Sequence, residues 1–307
     1  MAITQSNINT LEYRNRLVEK LDRRFTQKSN IDFFNDADFG AKFVGTKGVL
    51  IDDVTFTGLG NYQRDVGHVL GSMKFNQELY ELEMERGAKF LFDRMDLDEV
   101  GLSDKIGSYA KQFTDEHIVP ETDSYGFSKL AGVATSESQV VTGTTKPFEI
   151  LNDAIAQVED IVGFDEELVA VCSSNFWRNL NKSDELNRYI RVDEFKKGEI
   201  STKVNKINQT ILLPVPQANM MTSYIFHDGI TEGHKEGGYE IAPGAKAINC
   251  IVLPRKVARF VKKLDKVRIF NPDDNINVDS WQIDFRVYYD LFVKHTQKNS
   301  VWASIAE

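Results

Sequence analysis

The sequence predicts an α+β fold, and three segments of the chain carry that prediction. Residues 55–85 combine glycines with alternating charged and aromatic side chains, a pattern typical of an exposed β-ribbon. From Leu102 onward, apolar side chains recur three or four positions apart, which indicates a helix. From Lys146 onward, helical stripes are interspersed with buried-type strands. A strand-rich part, a helical part and a mixed part that follow one another along the chain are typical of α+β proteins.

The length, composition and charge of the chain limit what it can be. At 307 residues, with 41% hydrophobic and 27% charged residues, it can hold one large domain or two to three smaller ones. No apolar stretch approaches the roughly 18 residues of a membrane span, and no secretory signal is visible. The net charge of -9 argues against a general nucleic-acid binder, whose phosphate contacts need clustered Lys and Arg. A container for nucleic acid remains compatible with that charge, because an inner wall that bound the nucleic acid strongly would hinder its packing.

Residues 1–35 are expected to form an N-terminal arm. Apolar and charged side chains between residues 11 and 25 fall on opposite faces of a helix, and Asn9 or Thr10 is a suitable cap. The narrow apolar stripe fits a surface helix on its own domain and fits docking on a neighbouring subunit. Deletion of residues 1–30 is expected to leave a foldable subunit and to impair assembly.

The ribbon at residues 55–85 is the most informative element. It follows a short apolar strand that ends at Asp52-Asp53, and four glycines punctuate its first half between residues 58 and 71. Its return leg interleaves Met, Phe and Leu with charged residues, and residues 88–92 are apolar enough to enter a buried sheet. A lone two-stranded ribbon is marginal in water, because no further layer covers its apolar side chains. We therefore expect something outside the chain to complete it.

The segments after the ribbon predict further elements in order. Helical spacing runs from Leu102 to Ala134, with Pro120 expected to end or kink the helix, and residues 136–145 read as a linker. The remaining elements are a helix at 148–161, a strand at 167–173, a helix from Ser174, a β-rich stretch at 203–216, a glycine-rich segment at 228–244, strands at 247–254 and 257–269, and an extended strand with a return at 280–305.

The sequence contains no established catalytic motif. It has no HExxH, CxxC, glycine–lysine phosphate loop or GxSxG. Gly58-Leu59-Gly60 lacks the third glycine and the strand-to-helix setting of a nucleotide site, so strand glycines are the better interpretation. Asp93, Asp96, Asp98 and Glu99 form an acidic cluster without the spacing of a calcium loop. A solvated loop before a helix is favoured for these acids.

Histidines, cysteines and basic residues add no stronger site. His227 and His234 are the only histidines that share a segment, but their spacing matches no common zinc pattern, and a surface loop is favoured. Cys172 and Cys250 lie in apolar runs and are expected to be core residues, with a disulfide between them left open. The run Arg255–Arg268 is interpreted as a strand with one wet face rather than a phosphate site. The sequence thus predicts no catalytic residue, no metal ligand and no cofactor.

Three passages together resemble the major capsid proteins of tailed bacteriophages. These passages are residues 58–100, 113–132 and 271–305, and the resemblance extends over roughly residues 40–135 and 245–305 with the same order of elements. It implies the Hong Kong ninety-seven type capsid fold, which herpesvirus capsid floors and encapsulin shells share. In that fold an arm reaches onto neighbours, and an extended E-loop lies over the adjacent subunit.

The resemblance also implies a division of the chain into capsid domains. The expected parts are an N-terminal arm at 1–35, an E-loop at 55–85 and an axial domain at 146–271. The peripheral domain, which contains a spine helix, is expected to combine residues 36–54, 86–145 and 272–307. Some relatives join subunits through a lysine and an asparagine. Lys74 lies in the E-loop range, but no partner motif is present, so no crosslink is predicted.

The function implied by the resemblance is structural rather than enzymatic. The chain is expected to self-assemble as hexamers and pentamers into an icosahedral phage head around double-stranded DNA, without sequence-specific DNA contact and without a membrane. Its expected location is the virion, after assembly in the host bacterial cytoplasm. Separate scaffolding, portal and decoration proteins are the other expected partners. Two alternatives stay open: an encapsulin-type compartment with protein cargo and, more remotely, a hydrolase that uses the acids between Asp93 and Glu99.

Overall fold

We describe the fold from a computed structural model of the chain. The described residues are 28–35, 42–45, 47–65, 67–93, 102–137, 140–142, 146–182, 190–197, 200–207, 209–270 and 280–306. The arm helix expected between residues 11 and 25 lies outside these ranges. So do three of the four acids in the cluster that begins at Asp93.

Strands dominate the described part of the chain, and four α-helices accompany them. The strands are β1 Lys42–Val44, β2 Gly48–Phe56, β3 Met73–Glu81, β4 Met84–Asp93, β5 Val140–Thr142, β6 Leu168–Ser173, β7 Ile190–Lys197, β8 Ile200–Ile207, β9 Thr210–Val215, β10 Tyr224–Phe226, β11 Tyr239–Ile241, β12 Ile248–Pro254, β13 Ala258–Phe270, β14 Ser280–Val293 and β15 Trp302–Ile305. The helices are α1 Leu102–Phe113, α2 Val119–Ser136, α3 Pro147–Val162 and α4 Ser174–Asn181. None of the described helices is long and apolar enough to cross a membrane.

The expected ribbon is present, but its strands begin earlier than the sequence suggested. β2 and β3 pair as its two legs, and β1 adds a short third strand at the base. The outgoing leg is therefore the apolar strand that was expected to precede the ribbon. The glycine-rich residues 57–72 form the connection at the tip. β-branched side chains such as Val49 and Ile51 favour a strand, whereas glycines lose more conformational entropy there.

The ribbon leads almost directly into a second sheet. β4 starts three residues after β3 ends and pairs with β14, which also pairs with β13, giving the antiparallel order β13-β14-β4. Gly87 does not interrupt β4. A Cβ at that position would lie 3.0 Å from the Phe285 carbonyl oxygen, so the glycine allows the two strands to approach closely.

The helix predicted from Leu102, here called the spine helix and made of α1, a π-helical turn and α2, runs through Pro120 instead of ending there. α1 passes through a π-helical turn at Thr114–Ile118 into α2, and Pro120 falls in the first turn of α2. Proline is tolerated in a first turn, because its missing N–H is not required there. The wider π turn resets the hydrogen-bond ladder immediately before the proline. The helix therefore continues to Ser136, and the expected break is corrected to a local change of pitch.

The chain from α3 onward builds a larger sheet of mixed direction. Its strand order is β5-β15-β12-β6-β9-β8-β7, and α3 and α4 pack on it through Leu151, Val158 and Phe176. Gly163 ends α3 with φ +88°, as expected for a helix stop, and the Ser173 hydroxyl caps α4 by accepting from the Phe176 N–H.

Strand pairing crosses the division into peripheral and axial domains that the resemblance implies. β13 lies within 146–271 but pairs with β14, whereas β5 and β15 lie in the ranges 86–145 and 272–307 but join the seven-stranded sheet. β15 does not return along β14, because the 3₁₀ helix His295–Ser300 redirects the chain and Trp302 is buried in the other core. The expected linker at 136–145 likewise contains β5. The domain division stays a prediction.

Residues 28–35 are anchored in the main core, although they were assigned to the arm. Ile31 and Phe34 are buried among Phe127, Leu130 and other residues of α2, of the sheet β13-β14-β4 and of the seven-stranded sheet. The Asp123 carboxylate on α2 accepts hydrogen bonds from the Ser29 hydroxyl (2.8 Å) and from the backbone N–H groups of residues 30 and 31 (3.1 and 3.0 Å). A deletion to residue 30 would remove part of this anchor, so a truncation that spares the fold has to stop at residue 27.

Asp123 should make folding stability depend on pH. Burial raises the pKa of its carboxyl from 3.8 to about 6, against the opposing effect of its hydrogen-bond donors. Because the folded state holds this proton more tightly than the unfolded state, stability falls as pH rises from about 4 to 6, by up to about 3 kcal/mol. Urea unfolding of the wild type and of Asp123→Asn at pH 4, 5 and 6 measures this effect. The free energy of unfolding of the wild type minus that of the variant should fall as pH rises. A constant or rising difference would contradict it.

Candidate assembly surfaces

One face of the ribbon is apolar and turned to solvent. Directly paired residues of antiparallel strands share a face, and one face carries the pairs Val54↔Phe75 and Phe56↔Met73. The side chains of Phe56 and Phe75 are each 71% exposed. Leu79, opposite Leu50 on the same face, is 59% exposed. The face is therefore largely apolar, and its one interruption between Leu50 and Phe56 is the hydrogen-bonded polar pair Asp52↔Gln77.

The opposite face attaches the ribbon to the body, but only at its base. Val49 and Ile51 are buried against Val261 of β13 and Phe292 of β14. Tyr80 joins this cluster and packs on Phe292 with ring centroids 5.0 Å apart. From residue 52 of β2 onward, none of the described side chains on the two legs is fully buried until Leu82. The ribbon therefore projects from an anchored base.

The tip of the ribbon extends the apolar surface. Leu59 and Leu70 are essentially fully exposed, and Tyr62 and Val69 are more than half exposed. Within the part of the chain that the structure describes, ten of the sixteen large hydrophobic side chains that are exposed lie between residues 43 and 79. A concentration of exposed apolar side chains is typical of a surface that binds another protein, a membrane or a ligand.

Two polar networks join the sheet that continues the ribbon to the spine helix. Arg86 of β4 donates to both carboxylate oxygens of Glu121 on α2, at 2.5 and 3.3 Å. Lys129 of α2 donates to the fully buried Asp290 of β14 at 2.6 Å, and the Tyr125 hydroxyl donates to the same carboxylate at 2.9 Å. These contacts fix β4 and β14 against α2, and thereby orient the base of the ribbon.

The structure does not assemble a site from most of the residues that the sequence singled out. Residues 58–60 lie at the ribbon tip and precede no helix. Asp93 is the last residue of β4. His68 lies near Tyr62 at the tip, His117 stacks on Phe113 in the π turn, and His295 starts a 3₁₀ helix.

The two cysteines are core residues, as expected. Cys172 and Cys250 are paired neighbours on β6 and β12, and both are free thiols with no exposed surface. Burial raises the pKa of Cys172 to about 12, which disfavours the reactive thiolate.

The basic run is a strand, as expected, and several of its cations have protein partners. β13 covers most of it and pairs along its length with β14. Arg255 contacts Glu167 at 3.3 Å, and Lys263 donates to the Gly45 carbonyl at 2.7 Å. These contacts serve the fold rather than a phosphate site.

One constellation emerges that the sequence only hinted at. The rings of His227 and His234 stack with centroids 4.3 Å apart, and the Glu240 carboxylate lies 3.8 Å from His227 Nε2. Sequence reasoning weighed the two histidines but missed Glu240. The signal that could have indicated Glu240 is the apolar pattern on both sides of the glycine-rich segment, which is typical of a β-hairpin. In that hairpin Ile225 pairs with Glu240, so Glu240 lies close to His227.

Comparison with known proteins identifies the fold. No protein-family model matches the chain, and no curated protein matches it. A solved cyanophage P-SCSP1u capsid structure matches with a TM-score of 0.58 at 11% identity, over 86% of this chain and 85% of that one. The mature capsid of bacteriophage PhiM1 matches with a TM-score of 0.54 at 11% identity, over 85% of this chain and 82% of that one. This chain has the phage-capsid fold.

The same fold appears in a virus-like particle. The crystal structure of a virus-like particle from Pyrococcus furiosus matches with a TM-score of 0.51 at 11% identity, over 96% of this chain and all of that one. The α+β class and the capsid fold expected from the sequence are thus confirmed. At these identities the likeness establishes the fold of the chain.

Proposed function

We propose that this chain is a major capsid protein, the subunit of a phage head. The observation that carries the proposal is the ribbon, which is anchored at its base and exposes an apolar face and tip that the chain itself does not cover. A neighbouring copy that covers this face would contribute roughly 25 cal/mol per Å² of apolar area, less the cost of ordering. Head-to-tail contacts of this kind close into rings by symmetry.

The finer features of the assembly follow from this role. The subunits form hexamers and pentamers of an icosahedral shell in the virion, assembled in the host bacterial cytoplasm around double-stranded DNA. The net charge of -9 suits a wall that does not bind DNA strongly. Separate scaffolding, portal and decoration proteins complete the proposed set of partners. The proposed role is structural and needs no catalytic residue.

An encapsulin-type compartment is the second candidate, supported by the full-length match to the Pyrococcus furiosus particle. Both candidates use the same shell contacts and differ in what the shell encloses. Particles that copurify with a cargo protein would favour the compartment. Particles that need a scaffolding protein and package DNA would favour the phage head.

Electron microscopy and analytical ultracentrifugation of the expressed chain test the shared part of the proposal. We expect closed shells, or rings of five and six subunits, either from the chain alone or with a coexpressed scaffolding protein. A species that stays monomeric in every condition would contradict it. The hydrolase alternative has a separate test, in which Asp93→Ala abolishes a measurable turnover and leaves assembly intact.

A further inference from the structure

The hairpin between β10 and β11 brings three metal-ligating side chains together. His227 directly follows β10, and Glu240 lies within β11. Between them the chain folds back on itself, with Gly233 and Gly237 at φ +90° and +70°, conformations that favour glycine. This turn places the His234 ring on the His227 ring, 4.3 Å away and within 10° of parallel.

The hydrogen bonds of His227 leave one ring nitrogen free for a ligand. Its Nδ1 lies 2.9 Å from the Gly237 carbonyl oxygen, which only accepts, so Nδ1 carries the proton and donates. In the neutral imidazole, Nε2 is then the nitrogen with the free lone pair. It is buried and has no hydrogen-bond partner. A backbone carbonyl that fixes one ring nitrogen while the other faces a metal is the usual arrangement of a metal-binding histidine.

Glu240 and His234 complete a set of three ligands around this nitrogen. One ligand atom from each residue lies within 4.8 Å of the others. Ligand atoms at about 2.0–2.1 Å from a tetrahedral zinc ion are roughly 3.3 Å apart, so no pair of these ligand atoms needs to close by more than about 1.5 Å. A metal also lies close to the plane of each imidazole that binds it. The His234 ring therefore has to turn out of the stack, which its partly exposed position between glycines allows.

We propose that His227 Nε2, His234 and Glu240 bind one divalent transition-metal ion, with Zn²⁺ the best chemical match. Two imidazoles and one carboxylate form an established zinc ligand set that leaves a fourth position for water. Magnesium and calcium prefer all-oxygen sites and fit this set poorly.

The surroundings of the hairpin indicate what the metal would hold in place. Arg86 donates to the carbonyl oxygens of His227 (2.6 Å) and Gly238 (3.0 Å) while it also pairs with Glu121. The two ends of the hairpin loop are thus already attached to β4 and to the spine helix. A bound ion would close the loop across the same point and stiffen the junction into which the ribbon leads.

Cobalt binding tests the site on the full chain, expressed without a histidine tag and freed of metal with a chelator. We expect one Co²⁺ per chain, with the visible absorption of a tetrahedral nitrogen–oxygen site, displaced by equimolar Zn²⁺. His227→Ala, His234→Ala and Glu240→Gln should each weaken binding at least tenfold. His68→Ala and Glu236→Gln, a histidine and a glutamate outside the cluster, are matched controls and should bind like the wild type.

Several outcomes would overturn the site. They are a wild type without bound Co²⁺, a stoichiometry unaffected by the three ligand variants, and control variants that lose as much affinity as the ligand variants. Far-UV circular dichroism and urea midpoints of all variants separate a lost ligand from a lost fold. Because binding is measured on the chain whether or not it assembles, the result is independent of the proposed capsid role.

Discussion

Phe75→Glu should abolish shell assembly and leave the subunit folded. Phe75 is 71% exposed in the subunit, so the change should alter the free energy of unfolding by no more than about 0.5 kcal/mol. Burial of a phenylalanine in an interface contributes about 1.5–3 kcal/mol, and this loss would recur at every equivalent contact of the shell. A charge placed against an apolar neighbour adds a desolvation cost. Negative-stain microscopy should show no particles, and urea unfolding should show a near-unchanged midpoint.

Thr55→Glu is the matched control for the ribbon. It introduces the same charge one position along the partner strand, on the opposite face and directly across from Lys74. Shells should still form, because this face does not carry the exposed aromatic side chains. Equal loss of assembly in both variants would show that added charge, and not the apolar face, is responsible. Normal shells from Phe75→Glu would remove the ribbon face from the interface.

Lys129→Met should destabilise the fold by about 3 kcal/mol. The change leaves the Asp290 carboxylate buried without its cation, held only by its hydrogen-bond donors. Burial raises the pKa of Asp290 above its usual range even with Lys129 beside it. Protonation of Asp290 would relieve the unpaired charge. The gap between variant and wild type in urea unfolding should therefore narrow as pH is lowered.

Two further variants separate the lost ion pair from the lost lysine side chain. Lys129→Met combined with Asp290→Asn removes the buried charge and should recover part of the lost stability. Lys182→Met, at an exposed lysine at the end of α4, should change the free energy of unfolding by less than about 0.5 kcal/mol. A Lys129→Met variant as stable as the wild type at neutral pH would show that Asp290 does not depend on its cation.

Local pattern predicted most elements, because the properties that form them are local. The apolar stripe of α3, the glycine after it and the serine cap of α4 are all visible in the sequence. The break predicted at Pro120 was wrong. The π turn that accommodates the proline depends on a shift in the backbone hydrogen-bond pattern of the helix, and no single residue type indicates such a shift. Sheet membership was also hidden. Nothing in the residues of β15 says that they pair with β12 and β5 rather than with β14.

The candidate surfaces were predictable to different degrees. The exposed ribbon face follows from side-chain alternation in β3, although the register that places Phe56 beside Met73 had to come from the structure. The His227 and Glu240 cluster depends on how the glycines of the hairpin turn the chain. Those backbone angles bring together residues whose spacing fits no motif.

The placement of β14 and β15 has a consequence for how the protein is made. β14 is the central strand of one sheet, and β15 lies between β5 and β12 in the other. Neither sheet is complete until residues 280–305 have left the ribosome. A nascent chain therefore contains the apolar ribbon before the sheet that anchors its base can form. In the proposed capsid role, competence to join a shell should therefore depend on translation of these residues. A prematurely terminated product lacks the interior strands of both sheets, and we expect it to be excluded from the particle.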